Sequence, residues 1–249
     1  LTDTDAGGWA YRDAHIPGAV HAHLDEDLSA ASGPGRHPLP SPADFGATLG
    51  SLGISHDSAV VAYDASGGAF AARMWWMLRA LGHRTVAVLD GGWQAWTRSR
   101  HPTESGLVDR PEATYVTPGE WSDTIDRERL GTRLGAITLI DARSRERYRG
   151  EIEPLDPVAG HIPTAVNLPY AEALDADGGF LEPAALASLL EAGGAGAVVY
   201  CGSGVTACHS ILAMEVAGLG RATLYPGSWS DWSTAGGPVA TGPAPGSAP

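Results

Sequence analysis

The chain alternates short, wholly apolar runs with stretches of helical spacing. "AITLIDAR" (136–143) is an apolar run closing on Asp-Ala-Arg, the mark of a buried strand. "AGAVVYC" (195–201) is a second such run, short and β-branched. Between them, "PAALASLLEAG" (183–193) spaces its apolar residues as a helix does, with Pro183 near its start and Gly193 past its end. "VTACHSILAMEVAGLG" (205–220) predicts a helix closed by Gly218, and "ATLYPGSW" (222–229) a strand entering a glycine turn. Earlier in the chain the same order appears: "SAVVAYD" (58–64) as strand, "AFAARMWWMLRALG" (69–82) as helix, "TVAVLDGG" (85–92) as strand. Strands alternating with helices predict mostly parallel sheets covered by helices.

The two series are copies of one another. "YRDAHIPGAV" (11–20) recurs as "PVAGHIPTAV" (157–166), "SAVVAYDASGG" (58–68) as "GAVVYCGSGV" (196–205), and "LDGGWQAW" (89–96) as "LYPGSWSDW" (224–232). Three matched segments in unchanged order, about 136–146 residues apart, mark a duplicated domain. The predicted division is residues 1–104, a linker at 105–120, a second domain at 121–235 and an extended or mobile Pro/Gly/Ala-rich tail at 236–249. The first copy has no counterpart of "AITLIDAR" before its His-Ile-Pro segment, so its N-terminus is expected to be truncated.

A length of 249 residues and 43% hydrophobic content suit two such domains with proper cores. Sixteen basic residues against 29 acidic ones leave a net charge of −13, which argues against nucleic-acid and anionic-membrane partners. No apolar run reaches the length of a membrane span, and the first residues lack a signal-peptide core. Two cysteines form neither a disulfide framework nor a zinc-site spacing, so a cytoplasmic location is expected and no metal is implied.

One cysteine sits where chemistry is easiest. In "VVYCGSGVTACHS" (198–210) Cys201 follows a strand and opens a glycine-rich turn into a helix. Such a turn points several backbone N–H groups into one bowl, and the helix N-terminus adds partial positive charge. A cysteine at its rim is expected as the reactive thiolate. Gly202 and Gly204 permit the tight curvature. Cys201 as a small buried hydrophobe is the bland alternative. Cys208 and His209, inside the predicted helix, are read as packing residues, as are Trp75 and Trp76. The first copy carries Asp64 in place of Cys201, so its loop "YDASGG" is read as degenerate.

With its paired His-Ile-Pro segments, its paired "DGGW" and "PGSW" turns and a cysteine loop in the second copy alone, the chain resembles the tandem-domain rhodanese-like sulfurtransferases. Its loop "CGSGVT" (201–206) looks like that of the 3-mercaptopyruvate enzymes; thiosulfate-preferring relatives carry Arg and Lys where Gly202 and Ser203 stand. The resemblance implies that Cys201 takes the outer sulfur of a donor as a persulfide and yields it to a small thiol, cyanide, a thioredoxin-like dithiol or a sulfur-carrier protein. It implies no organic cofactor. It implies that Gly202, Gly204, Val205 and Thr206 line the donor site, that Ser203 and Asp25 relay a proton, and that His37 and Arg147 bind the donor. A second arginine, which mercaptopyruvate enzymes often carry before the second His-Ile-Pro, is missing: the matching place lies near Asp156. Arg143 or Arg149 is a candidate substitute. The uncharged loop places mercaptopyruvate ahead of thiosulfate as donor, and the missing arginine narrows that lead.

Two readings from other classes stand beside this one. A phosphatase of the same general fold needs an arginine closing a Cys-x₅-Arg loop, whereas here Ala207 and Cys208 occupy that end. A non-catalytic binding module has no need of an intact cysteine loop. The expected architecture is two tandem α/β domains, each a mostly parallel sheet flanked by helices, with the site at the C-terminal end of "AVVY".

Overall fold

The computed structural model describes residues 5–248. They divide into two compact units. The first takes residues up to Ala31 and Leu39–Ser122; the second takes Ser32–Pro38 and the chain from Asp123 onward. In the first unit the order is α1 (Ala6–Asp13), α2 (Pro42–Ser51), β1 (Val60–Ala62), α3 (Ala71–Ala80), β2 (Val86–Val88) and α4 (Gly92–Arg98). In the second it is α5 (Arg127–Gly131), β3 (Leu139–Asp141), α6 (Arg145–Arg149), β4 (Val166–Asn167), a 3₁₀ turn (Tyr170–Ala173), α7 (Pro183–Leu189), β5 (Val198–Tyr200), α8 (Thr206–Val216), β6 (Thr223–Leu224) and α9 (Ser228–Thr234).

All strand pairs are parallel. The second unit's sheet runs β4-β3-β5-β6, with Ile140 opposite both Val166 and Val199, and Val199 opposite Leu224. β3 and β5 are buried on both faces, which explains their unbroken apolar sequences. Around them pack Ile125, Leu130, Tyr148, Ile162, Tyr225, Trp229 and Trp232. Among the described residues the first unit holds a two-stranded sheet of β1 and β2, in register from Val60–Val86 to Ala62–Val88. Among the described residues β1 has no neighbour on the side where β5 has β3, and Val61 is 61% exposed. α3 is buried along nearly its whole length, Trp75 and Trp76 included, so both are packing residues.

The duplication extends to individual hydrogen bonds. Tyr63 directly follows β1 and Tyr200 ends the equivalent β5, and their hydroxyls accept from Ile16 N–H and Ile162 N–H, both at 3.1 Å. His15 stacks on Tyr11 and His161 on Tyr148, and each Nδ1 lies 2.7 Å from the carbonyl of its tyrosine. Those partners are 4 residues apart in the first copy and 13 in the second, so the second copy has a longer loop between helix and His-Ile-Pro.

The joining segment and the tail also correspond. Glu104 forms an antiparallel bridge with His15, and Ala240 forms one with His161. In the first copy Glu104 Oε1 lies 3.2 Å from His15 Nε2; alanine offers no such group, and among the described residues His161 Nε2 is buried without a hydrogen-bond partner. The stretch divided off as a linker (105–120) is part of the first unit. Tyr115 is buried there with its hydroxyl 3.1 Å from His83 Nδ1, and Ala113 N–H donates to Gly50 O. The tail folds back as well, for Trp232 Nε1–H donates to Pro238 O at 2.8 Å. Helices α4 and α9 stand where the sequence predicted only glycine turns.

Asp64 shows what the degenerate loop has become. Its Oδ1 accepts from Ser66 and Gly68 N–H at 2.7 and 2.9 Å, and its Oδ2 from Phe70 and Ala71 N–H, both at 2.8 Å. Four backbone donors close on one carboxylate. The bowl is an anion cradle, and the chain fills it with its own anion.

Two tests follow from this packing. Asp64→Ala leaves four donors without their acceptor and is expected to cost about 2–3 kcal/mol, with Asp64→Asn costing less. Urea denaturation measures both, and a loss below about 0.5 kcal/mol would place the cradle's hydrogen bonds elsewhere. The second test is alkaline. Burial raises the phenols of Tyr200 and Tyr225 well above their ordinary range, and burial followed by the charge of Asp141 raises Tyr148 to about 12. A raised folded-state value means that the unfolded chain loses these protons first. Stability from them is complete below about pH 10 and drains away above it. Urea midpoints are expected to hold from pH 7 to 9 and to fall steeply beyond 10; a flat profile to pH 11 would contradict the burial argument.

Candidate active site

Cys201 follows β5 directly, and its backbone is fixed from three sides. Its N–H donates to Ser228 Oγ at 3.1 Å, its carbonyl accepts from Trp229 N–H at 3.0 Å, and the carbonyl of Gly202 accepts from Ser230 N–H at 2.9 Å. The start of α9 therefore holds the start of the loop. Ser228 adopts the left-handed conformation with φ +54°, and its Oγ also donates to Tyr225 O at 2.9 Å. The equivalent residue of the first copy, Gly92, has φ +52°. A serine there accepts backbone strain in order to place a hydroxyl under Cys201 N–H. Gly204 takes φ +78°, and any Cβ on it would lie 2.4 Å from Pro226 O, so both its conformation and its surroundings require glycine.

Cys201 itself is buried, as are Gly202, Ser203, Gly204 and Val205. Thr206 begins α8. Cys208 lies one turn further on, fully buried, its Sγ–H donating to Gly204 O at 3.3 Å. His209 packs on Tyr170 and Phe180. Both are helix-packing residues.

Three side chains from elsewhere in the second unit reach this loop. His37 Nδ1 lies 2.7 Å from Ser203 Oγ. Arg147, on α6, brings its guanidinium to Gly202: a Cβ there would meet Nη1 at 3.1 Å and Nη2 at 3.4 Å. Arg36 arrives at the same spot, its Nη2 2.9 Å from that Cβ position. Gly202 thus leaves room for two cations above the residue that follows the cysteine.

The cations are tethered by buried carboxylates. Asp156 accepts from Arg36 Nη1 through one oxygen and from Arg147 Nη2, at 3.2 Å, through the other. Glu153 accepts from Arg147 at 2.7 and 3.2 Å. Beneath them Arg143 is spoken for. It donates to Asp141 at 2.6 Å, to Glu153 at 3.3 Å and to Gly160 O at 2.7 Å, and its guanidinium lies 4.6 Å from the Trp229 ring. Burial acts to lower its pKa, but the charge and hydrogen bonds of Asp141, with Tyr200 and Glu153, outweigh burial and raise it.

The structure therefore collects Cys201, Gly202, Ser203, Gly204, Val205, Thr206, His37 and Arg147 in one unit. Asp25 belongs to the first unit, where its N–H donates to His23 Nδ1 at 3.2 Å. Neither candidate substitute for the missing arginine serves: Arg143 is locked in its pair with Asp141, and Arg149 meets Glu151 at 3.6 Å on the surface. Arg36 stands there instead. Sequence reading passed over it although it precedes His37 in "GRHPLP", because nothing local tells where its side chain will reach.

A strand-loop-helix cysteine, a serine–histidine contact and two arginines can be set against known proteins. The rhodanese-like domain pattern matches residues 3–99 and 126–235. The chain belongs to the rhodanese-like family. A Pseudomonas aeruginosa protein named "Probable 3-mercaptopyruvate sulfurtransferase" is 44% identical over 254 residues, covering 97% of this chain and 89% of its own. SseB of Mycobacterium tuberculosis, which carries the name of a thiosulfate sulfurtransferase, is 45% identical over 243 residues, covering 93% of this chain and 84% of its own. The solved 3-mercaptopyruvate sulfurtransferase of Leishmania major superposes with a TM-score of 0.82 at 31% identity, over 95% of this chain and 68% of that one. This rhodanese-like protein is an enzyme, a sulfurtransferase built of two tandem α/β domains. Among the described residues no helix is long and apolar enough to cross a membrane.

The role given to Ser228 is open to test. Ser228→Ala keeps the strained backbone and loses the hydroxyl, an expected cost of about 2 kcal/mol. Ser228→Gly loses the hydroxyl but relieves the strain, so its cost is expected to be smaller by about 1 kcal/mol. Equal urea midpoints for the two variants would show that the left-handed backbone carries no strain.

Proposed function

We propose that this protein transfers sulfur from 3-mercaptopyruvate to a thiol or cyanide acceptor through a persulfide on Cys201. The observation that carries the reading is the pairing of an uncharged loop, Gly202-Ser203, with a guanidinium from α6 at its mouth. The Arg147 guanidinium holds the donor carboxylate, with Gly202 giving it room. Cys201 thiolate attacks the donor sulfur. The carbon–sulfur bond breaks, its electron pair forms the enolate of pyruvate, and the donor's thiol proton passes to that enolate, leaving a Cys201 persulfide anion and pyruvate. The Ser203 hydroxyl, 2.7 Å from His37 Nδ1, and Asp25 are the groups proposed to move this proton. The acceptor thiolate or cyanide then takes the outer sulfur and restores Cys201 thiolate.

The first copy supports the role of the loop amides. There a cradle in the same place of the repeat binds a carboxylate through four N–H groups, so a turn of this kind stabilises anionic sulfur in the second copy. Thiosulfate, a dianion, finds no charged residue in the loop itself and is the second donor. Names among the relatives favour each donor in turn. Val205 and Thr206 complete the loop wall, and neither metal nor organic cofactor enters the cycle. A small thiol, a thioredoxin-like dithiol or a sulfur-carrier protein serves equally well as acceptor, and a cytoplasmic setting keeps Cys201 reduced.

Cys201→Ser is expected to abolish transfer, below about 10⁻³ of wild type, while the urea midpoint stays close to wild type. Donor treatment of the wild type is expected to add about 32 Da, the mass of one sulfur, to the Cys201 peptide. Steady-state kcat/KM is expected to be higher for mercaptopyruvate than for thiosulfate. Residual transfer by Cys201→Ser within tenfold of wild type would remove the persulfide, and a wild-type preference for thiosulfate would overturn the donor.

A further inference from the structure

The loop that separates Tyr148 from His161 is longer than its first-copy counterpart, and it carries Glu153 and Asp156. Both carboxylates are buried, at 3% side-chain exposure each. Buried carboxylates are retained where cations meet them. Asp156 meets two, with one oxygen on Arg36 and the other on Arg147. These arginines come from distant parts of the chain, yet both guanidiniums stand against Gly202, beside the nucleophile.

The backbone is built to deliver Arg36 there. Gly35 has φ +81°, and a Cβ on it would lie 2.6 Å from Gly227 O, so the strap Ser32–Pro38 presses directly on the turn before α9. Arg36 N–H donates to Ser230 Oγ at 3.0 Å, while Ser230 N–H holds Gly202 O. One residue of α9 thus registers both the strap and the loop. Arg36 Nη1 is committed to Asp156, whereas Nη2 is the atom nearest the Gly202 position.

We propose that Arg36 is a second anion-holding residue of the donor site and that Asp156, bridging Arg36 to Arg147, sets the site's preference for a singly charged donor. The proposal rests on the sulfur-transfer reading of Cys201. Two arginines side by side attract a dianion strongly. Asp156 cancels one of their charges and Glu153 draws on Arg147, so the mouth keeps planar donors for a carboxylate without the surplus charge that thiosulfate requires. Loss of the carboxylate charge at unchanged shape shifts that balance toward dianions.

The test uses the full chain and two readouts. One is the rate of alkylation at the Cys201 peptide by anionic iodoacetate relative to neutral iodoacetamide, which needs no sulfur transfer. The other is steady-state kinetics with mercaptopyruvate and thiosulfate. Arg36→Gln is expected to lower the alkylation ratio about fivefold or more and to raise KM for mercaptopyruvate about tenfold, with kcat within about threefold; Arg36→Lys recovers part of the alkylation ratio. Asp156→Asn is expected to raise the alkylation ratio and to shift relative kcat/KM toward thiosulfate by about fivefold or more. A wild-type alkylation ratio and KM in Arg36→Gln would overturn the proposal, as would an equal change for both donors in Asp156→Asn. Should Asp156→Asn fail to fold, the Arg36 variants decide alone, since the Arg36 side chain is 28% exposed and its loss leaves Asp156 paired with Arg147. Shifted alkylation ratios in a protein that transfers no sulfur would uphold the anion site and overturn sulfur transfer. Transfer with an unshifted ratio would do the reverse.

Discussion

The hydrogen bonds between the start of α9 and the peptide groups of Cys201 and Gly202 are the constraint on which the rest of the site depends. A loop of small residues has no rigidity of its own, because glycines admit many backbone conformations. Here three successive residues, Ser228, Trp229 and Ser230, each hold part of it. Trp229 is also a core residue beneath Arg143, so loop geometry is tied to the packing of the sheet. The left-handed Ser228 is where that coupling is concentrated. Without it Cys201 N–H would lose its acceptor in a buried place.

The two copies show one backbone solution put to two uses. In each, a tyrosine ends or directly follows a strand, the His-Ile-Pro segment docks on that tyrosine's hydroxyl, and a tryptophan N–H holds the next carbonyl. The first copy places a carboxylate in the cradle and so makes it a structural knot. The second places sulfur there and brings cations to its mouth. At the equivalent position of the repeat, Asp64 accepts four backbone N–H groups and Cys201 presents a thiol.

The charge arrangement above the loop is close to balanced, with Arg36, Arg143 and Arg147 meeting Asp141, Glu153 and Asp156. The deepest pair, Asp141 with Arg143, fixes structure and is unavailable to a ligand. Breaking such a buried pair costs about 3–5 kcal/mol, because an uncompensated charge remains behind. The outer arginines are less buried, with Arg36 28% and Arg147 17% exposed, while the carboxylates that they meet are buried.

Much of this protein was legible in its sequence. The duplication, the alternation of strands and helices and the cysteine turn are local patterns, repeated twice, and local patterns follow directly from periodicity and turn chemistry. Helices α4 and α9 were not legible, because seven residues beginning in a glycine turn carry too few apolar positions to show a period. Nor was the place of Arg36. Its approach to Gly202 depends on the path of the strap Ser32–Pro38 and on the loop of residues 150–160, which is largely exposed apart from the Glu153 and Asp156 side chains, and its partner Asp156 is 120 positions away. His37 and Ser203 are 166 apart. The sequence by itself determined the duplicated α/β fold, the family and the position of Cys201 at the mouth of a glycine-rich turn. Only the tertiary structure decided which cations stand against the loop that Cys201 opens, because contacts between residues so far apart are set by the packing of whole segments and leave no trace in the spacing of the chain.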